Sequence, residues 1–165
     1  TPLRAVDLGT GSGAIGVTLA LERPAWSLIL SDASRPALAV ARDNAERLGA
    51  RVALVCCDWL DGLGGPFDLI VSNPPYIDPQ DHHLEQGDLR FEPRSALAAN
   101  DHGLADLRVI AAQARDTLAP GGWLALEHGF DQGGTVRTLL GERGFQAVTT
   151  RQDLEGRDRV TLGHA

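Results

Sequence analysis

Lysine and methionine are both absent from this 165-residue sequence. The lack of Met, and an opening "TPLRAVDLG" that runs almost directly into an apolar stretch, lead us to expect a piece of a longer protein. All 15 basic residues are Arg, and 22 Asp and Glu outnumber them to give a formal charge of -7. Contact with phosphate rests on Lys and Arg, so this balance argues against a nonspecific nucleic-acid binder, although it leaves room for a local basic groove. Cysteine is confined to the adjacent pair Cys56 and Cys57. Neighbours of that kind cannot staple a fold, and the expectation is two reduced thiols, at least one buried, in a cytoplasmic protein. No apolar run approaches the roughly 18 residues that a membrane span needs. No secretory leader, internal repeat or low-complexity segment is visible. The five His and two Cys show no metal-ligand spacing.

What is present suits one domain. Hydrophobic residues make up 43% of the chain, an ordinary share for a globular protein. Strand and helix signals alternate. Strands are predicted at 3–8, 26–32, 51–58, 67–73 and 123–128, and two more in "FQAVTTRQD" and "RVTLGH". Helices are predicted at 13–22, 35–49, 103–118 and 133–144, and "APGG" (119–122) reads as a turn. Pro36 near the start and Gly49 at the end of the second helix follow the usual asymmetry. Such alternation implies a mainly parallel sheet covered on both faces. The last two strands are too close for a crossover and predict an antiparallel hairpin. Residues 77–101 are polar and irregular, the pattern of a functional or disordered loop.

Two stretches carry chemistry. "DLGTGSGAIG" joins the first strand to the first helix, and Gly9, Gly11 and Gly13 allow a tight turn and close approach of a ligand. The helix start adds unpaired N–H groups and a positive dipole end. Asp32, at the end of the second strand, is placed to accept both hydroxyls of a ribose. Gly11-Ser12-Gly13-Ala14-Ile15-Gly16 fits a dinucleotide, while Gly9-x-Gly11-x-Gly13 after Asp-Leu suits S-adenosylmethionine. Asp7 is expected to order this loop.

The second stretch, Ser72-Asn73-Pro74-Pro75-Tyr76, is the more specific. Four specified residues at roughly 5% frequency each arise by chance on the order of 10⁻³ times in a chain this long. Pro74 confines Asn73 to extended geometry, and the two prolines donate no hydrogen bond. The loop is therefore rich in acceptors: the Asn73 side-chain oxygen and a backbone carbonyl, that of Pro74. Two fixed acceptors match the two hydrogens of an –NH₂ group, and the Tyr76 ring can cover a planar substrate. Such a grip stabilises the positive charge that grows on a planar nitrogen during methylation and aims its lone pair. No strong base is needed, in keeping with the absence of an evident His–carboxylate pair.

With these motifs the sequence resembles class I S-adenosylmethionine-dependent methyltransferases, and specifically the release-factor glutamine methyltransferases (the HemK family). The resemblance runs along the whole chain through "DLGTGSGAIG", "CDWLDGL", "FDLIVSNPPYI", "GDLRFEPRSAL", "GLADLRVI", "LAPGGWLALEHG" and "DLEGRDRVTLG". It implies a Rossmann-like α/β fold: a seven-stranded, mostly parallel sheet with helices on both faces and a C-terminal antiparallel hairpin. It implies methyl transfer, leaving S-adenosylhomocysteine, to the glutamine of the Gly-Gly-Gln loop in peptide-chain release factors. By the same resemblance Asp7, Gly9, Thr10, Gly11, Ser12 and Gly13 serve the cofactor and Asp32 its ribose. Asp58 and Trp59 lie beside adenine, and Asn73 meets both cofactor and substrate. Pro74, Pro75 and Tyr76 complete the substrate clamp, with Asn73, Pro74 and Tyr76 as the catalytic set.

The resemblance also implies an amino-terminal helical recognition domain outside these residues, so residues 1–165 are expected to be the catalytic domain alone, a cytoplasmic monomer with no direct nucleic-acid binding. Adenine or guanine amino groups in nucleic acid are the alternative substrate, since they share the Asn-Pro-Pro-Tyr loop. Plainer roles are expected elsewhere: Glu92 and Arg94 bracing the long loop, His82 and His83 solvated, His128 hydrogen-bonded structure. Trp59 also admits a core role.

Overall fold

A computed structural model describes residues 2–75 and 103–165. Tyr76, His82, His83, Glu92, Arg94 and the 77–101 segment lie outside the described residues. Within them the chain forms β1 (Arg4–Leu8), α1 (Ala14–Glu22), β2 (Ser27–Asp32), α2 (Arg35–Leu48), β3 (Ala53–Cys56) and β4 (Phe67–Ser72). Then come α3 (Ala105–Thr117), β5 (Leu118–Glu127), α4 (Gly133–Glu142), β6 (Gln146–Gln152) and β7 (Asp158–His164). The strands make one sheet in the order β3-β2-β1-β4-β5-β7-β6. Pairing is parallel from β3 through β5, and β7 runs antiparallel to both of its neighbours. This is the sheet and terminal hairpin expected from the sequence.

Both faces are covered because the strands are apolar on both sides. Alternation along β1 sends Ala5 to one face and Val6 and Leu8 to the other, all fully buried. Ala5 joins Leu28 and Leu30 of β2 beneath Val17 and Ala20 of α1 and Ala41 and Ala45 of α2. On the opposite face Leu8, Ile70, Leu124 and Leu126 pack with α3 and α4. The α3 contribution, Leu107, Ile110, Ala111 and Ala114, has the i, i+3, i+4, i+7 spacing of one helical stripe. Each large side chain buried here contributes about 1.5–3 kcal/mol. Gly16 is required by close approach: a Cβ there would lie 2.5 Å from Leu30 Cδ1.

The ends of α2 are chemically marked. The Ser34 hydroxyl accepts from the Ala37 N–H, Pro36 occupies the first turn, and Gly49 closes the helix with φ 73°.

Three readings need correction. β5 begins at Leu118, before the predicted turn rather than after it. Phe67 pairs with Leu118 and Leu69 with Trp123, so residues 119–122 bulge out of the ladder. Pro120 is tolerated in such a bulge. Predicted β3 shrinks to four residues because it is the sheet's edge, paired only with β2. The same edge position explains the thiols: both cysteines are free, Cys56 is exposed and Cys57 half-buried, so neither is in the core.

Candidate active site

The carboxyl ends of β1, β2, β3 and β4 meet where the strand order reverses, the place where open α/β sheets form a crevice. A cleft of about 710 Å³ opens there. It is lined by Gly9, Gly11 and Ser12 from the β1–α1 loop and by Asp32, Ala33, Ser34, Ala37 and Val40 from β2 and α2. Cys57, Asp58 and Trp59 follow β3, Asn73 and Pro75 follow β4, and Asp106 comes from α3.

The glycine loop is held from below by two carboxylates. Asp7 Oδ2 accepts from the Thr10 hydroxyl at 2.6 Å and from the Gly16 N–H at 2.8 Å. Asp7 is 1% exposed and its Oδ1 is buried with no hydrogen-bond partner. Burial raises its pKa to about 6, against the two hydrogen bonds and with a smaller push from the charge of Asp32. Asp32 uses one oxygen for the Gly11 N–H (2.9 Å) and the other for the Ser34 N–H (2.8 Å). The Thr10 N–H donates to the Ser31 carbonyl (2.9 Å), the Ser72 hydroxyl to the Leu8 carbonyl (2.8 Å). These cross-strand bonds fix the loop to three neighbouring strand ends.

Trp59 is the cleft's aromatic wall. Its backbone is left-handed, φ 46°, a conformation that costs a non-glycine residue about 1–2 kcal/mol. Its ring lies against the glycine loop: a Cβ on Gly9 would stand 3.1 Å from Trp59 Cζ3. Trp59 also packs on the main core, so its wall and core roles coexist. Facing it, Asp106 has a raised pKa, first from burial and then from the charge of Asp58, opposed by a side-chain hydrogen bond from Trp59.

The family model of the methyltransferase small domain matches residues 2–91. The chain belongs to that family. It is 55% identical over 163 residues to a release factor glutamine methyltransferase of Neisseria gonorrhoeae, covering 97% of this chain and 60% of the relative. It is 56% identical over 162 residues to the protein of that name in Xylella fastidiosa, covering 97% and 59%. The chain thus spans about three fifths of these relatives' length. Among solved structures, a ribosomal protein L11 methylase from Lactobacillus delbrueckii subsp. bulgaricus superposes with TM-score 0.72 at 22% identity, over 99% of this chain and 71% of that one. A Thermus thermophilus 16S rRNA N2 G1207 methyltransferase gives 0.69 at 19%, over 98% and 37%. At those identities the likeness establishes the fold.

In this methyltransferase-family domain, the residues singled out in sequence divide in two. Gly9, Gly11, Ser12, Asp32, Asp58, Trp59, Asn73 and Pro75 share the cleft wall. Asp7, Thr10, Gly13 and Pro74 are buried and do not line it. Tyr76 lies outside the described residues. Ala33 and Ser34, which lead into α2, and Ala37 and Val40 within it were missed, although their position shortly after Asp32 is a usable signal. Asp106 was missed because nothing local marks it: it is 33 residues beyond Asn73 and reaches the cleft only through the packing of α3.

Proposed function

We propose that this chain is the catalytic part of an enzyme that moves a methyl group from S-adenosylmethionine to a glutamine side chain of peptide-chain release factors. The acceptor is the amide nitrogen (N5) in the Gly-Gly-Gln loop. The observation that carries the reading is the identity of 55% over 163 residues, spanning every cleft residue, to a protein named for that activity. In this proposal residues 1–165 are the catalytic domain, working as a cytoplasmic monomer with a release factor as partner and no direct contact with nucleic acid.

The residues present fit such a cofactor. The space where a Gly11 Cβ would point is open, which permits close approach of a ligand to the backbone. Asp32 retains acceptor capacity beyond its two backbone bonds, since each carboxylate oxygen accepts more than once. Gly9, Gly11 and Ser12 would hold the amino-acid part, Asp32 the ribose, and Asp58 and Trp59 the adenine. Asp7, Thr10 and Gly13 would act from beneath the loop. When bound, the cofactor supplies a methyl group activated by its positively charged sulfur.

The chain's own task is to place the acceptor nitrogen. Asn73 is exposed at the cleft and Pro74 is buried behind it. The Asn73 amide oxygen and the Pro74 carbonyl would each accept one hydrogen of the substrate –NH₂, and Pro75 and Tyr76 would flank its plane. These acceptors strengthen as the nitrogen turns positive, so they favour the transition state over the ground state. The product loses its extra proton to water.

The test is transfer of labelled methyl from S-adenosylmethionine to a purified release factor. We expect label on the Gly-Gly-Gln glutamine, none on a Gln→Ala substrate, and a fall of about 100-fold or more with Asn73→Ala. Label on nucleic-acid amino groups, with none on the release factor, would replace this reading.

A further inference from the structure

The segment between β3 and β4 carries Trp59 to the cleft, and α3 ties it down. Gln113, two turns after Asp106 on the same face of α3, makes the tie. Its Oε1 accepts from the Leu60 N–H at 3.1 Å and its Nε2 donates to Asp61 Oδ1 at 2.9 Å. The two bonds fix the residues that directly follow Trp59. Leu60 is at the same time driven into the core at 4% exposure. A left-handed Trp persists only where its surroundings over-determine it. Here the determinants are Gln113 on the following backbone and Gly9 under the ring.

The chemistry of Gln is specific to this tie. One planar amide provides an acceptor and a donor; Glu at 113 would keep the acceptor and set a second carboxylate against Asp61. We propose that Gln113, remote from the reacting atoms, is a positioning residue that holds Trp59 over the glycine loop and thereby sets the affinity for the nucleoside cofactor. The inference rests on the cofactor assignment above. A merely structural Gln113 would change the melting temperature and leave both Trp59 and cofactor affinity alone.

The experiment reads Trp59 alone, in a Trp26→Phe/Trp123→Phe background, by acrylamide quenching without ligand. It reads S-adenosylmethionine affinity by titration calorimetry. Loss of one or two such hydrogen bonds corresponds to a weakening of about fivefold in Gln113→Leu, with quenching raised about twofold. Gln113→Glu should do the same. Gln113→Glu/Asp61→Asn restores a donor opposite the new acceptor and should return both readings to near the parent's. Methyl transfer at saturating cofactor should stay within about twofold throughout, since no reacting group is touched. Unchanged quenching and affinity in Gln113→Leu would overturn the proposal, and so would a double variant no better than Gln113→Glu. Should Gln113→Leu fail to fold, the charge-exchanged pair still decides. Failure of the parent to bind S-adenosylmethionine would sink the cofactor assignment, while the ligand-free quenching still decides whether Gln113 holds Trp59.

Discussion

Asp7 and His128 lie near the carboxyl ends of parallel strands in the same sheet, and both are buried. Burial drives each toward its neutral form, raising the pKa of Asp7 and lowering that of His128. Their partners differ. Asp7 spends one oxygen on the glycine loop and leaves the other unpartnered. His128 is fully engaged. Its Nδ1 is 2.8 Å from the Gly129 carbonyl, which can only accept, so Nδ1 carries the hydrogen. In the neutral ring Nε2 then accepts from the Thr161 hydroxyl (2.8 Å), Thr161 accepts from Thr150 (2.8 Å), and Thr150 accepts from Arg137 (2.7 Å). The chain of donors runs from an exposed guanidinium to a buried ring without a gap. Unsatisfied polarity thus lies under the candidate active site, and the satisfied network lies in the scaffold that carries the hairpin. That division is what a site under functional constraint, on an otherwise self-consistent fold, is expected to show.

The largest effect should come from breaking the satisfied side. His128→Ala removes a fully buried side chain and strands Thr161, at a cost of roughly 3–5 kcal/mol in denaturant unfolding. The variant that remains folded should bind S-adenosylmethionine within about twofold of the parent, because the network does not touch the cleft. A fall in affinity as large as the fall in stability would erase the distinction between the two regions.

The next effect sharpens the contrast through pH. Asp7 titrates at about 6 when folded, above its unfolded value. Its contribution is fully present below the unfolded pKa near 4 and is lost as pH rises through 6. His128 has the opposite sign: its folded pKa is depressed, so stability falls as pH drops below about 6.5. Asp7→Asn cannot ionise, and its stability relative to the parent should rise by about 2 kcal/mol between pH 4 and pH 8. The measurement is urea unfolding at matched ionic strength across that range. A flat difference would mean that Asp7 ionises as readily folded as unfolded.

How much of this was legible in the sequence depends on the range of the interaction. The glycine loop, Asp32 and the Asn-Pro-Pro stretch announce themselves because local backbone chemistry writes them: turns, close approach and restricted dihedrals leave their mark within a few residues. Asp7 was legible as a loop organiser for the same reason, three residues from Thr10 and nine from Gly16. Gln113 was not, since its partners Leu60 and Asp61 are more than 50 residues away and a Gln on a helix face has many ordinary uses. The bulge at 119–122 was misread because Pro-Gly-Gly marks a turn equally well whether the chain leaves the sheet or only detours within it. Cys56 and Cys57 were misplaced because an apolar strand sequence does not say whether it will sit at the sheet's centre or its edge.

The smallest effect lies inside the satisfied network and tests whether it is a network at all. Thr161 is fully buried between β5 and β6, bonded to His128 on one side and Thr150 on the other. Thr161→Val keeps the shape and removes the hydroxyl, so His128 Nε2 loses its donor in a dry place, at about 1–2 kcal/mol. Thr150 is half-buried and can turn to solvent, so its own loss should be slight. If the bonds act as a chain, Thr161→Val should cost much less in a His128→Ala background than in the parent, because the ring nitrogen that its hydroxyl serves is already gone. Simple additivity would show that the distances describe neighbours rather than a relay, and His128 would then be held by its packing and the Gly129 carbonyl alone.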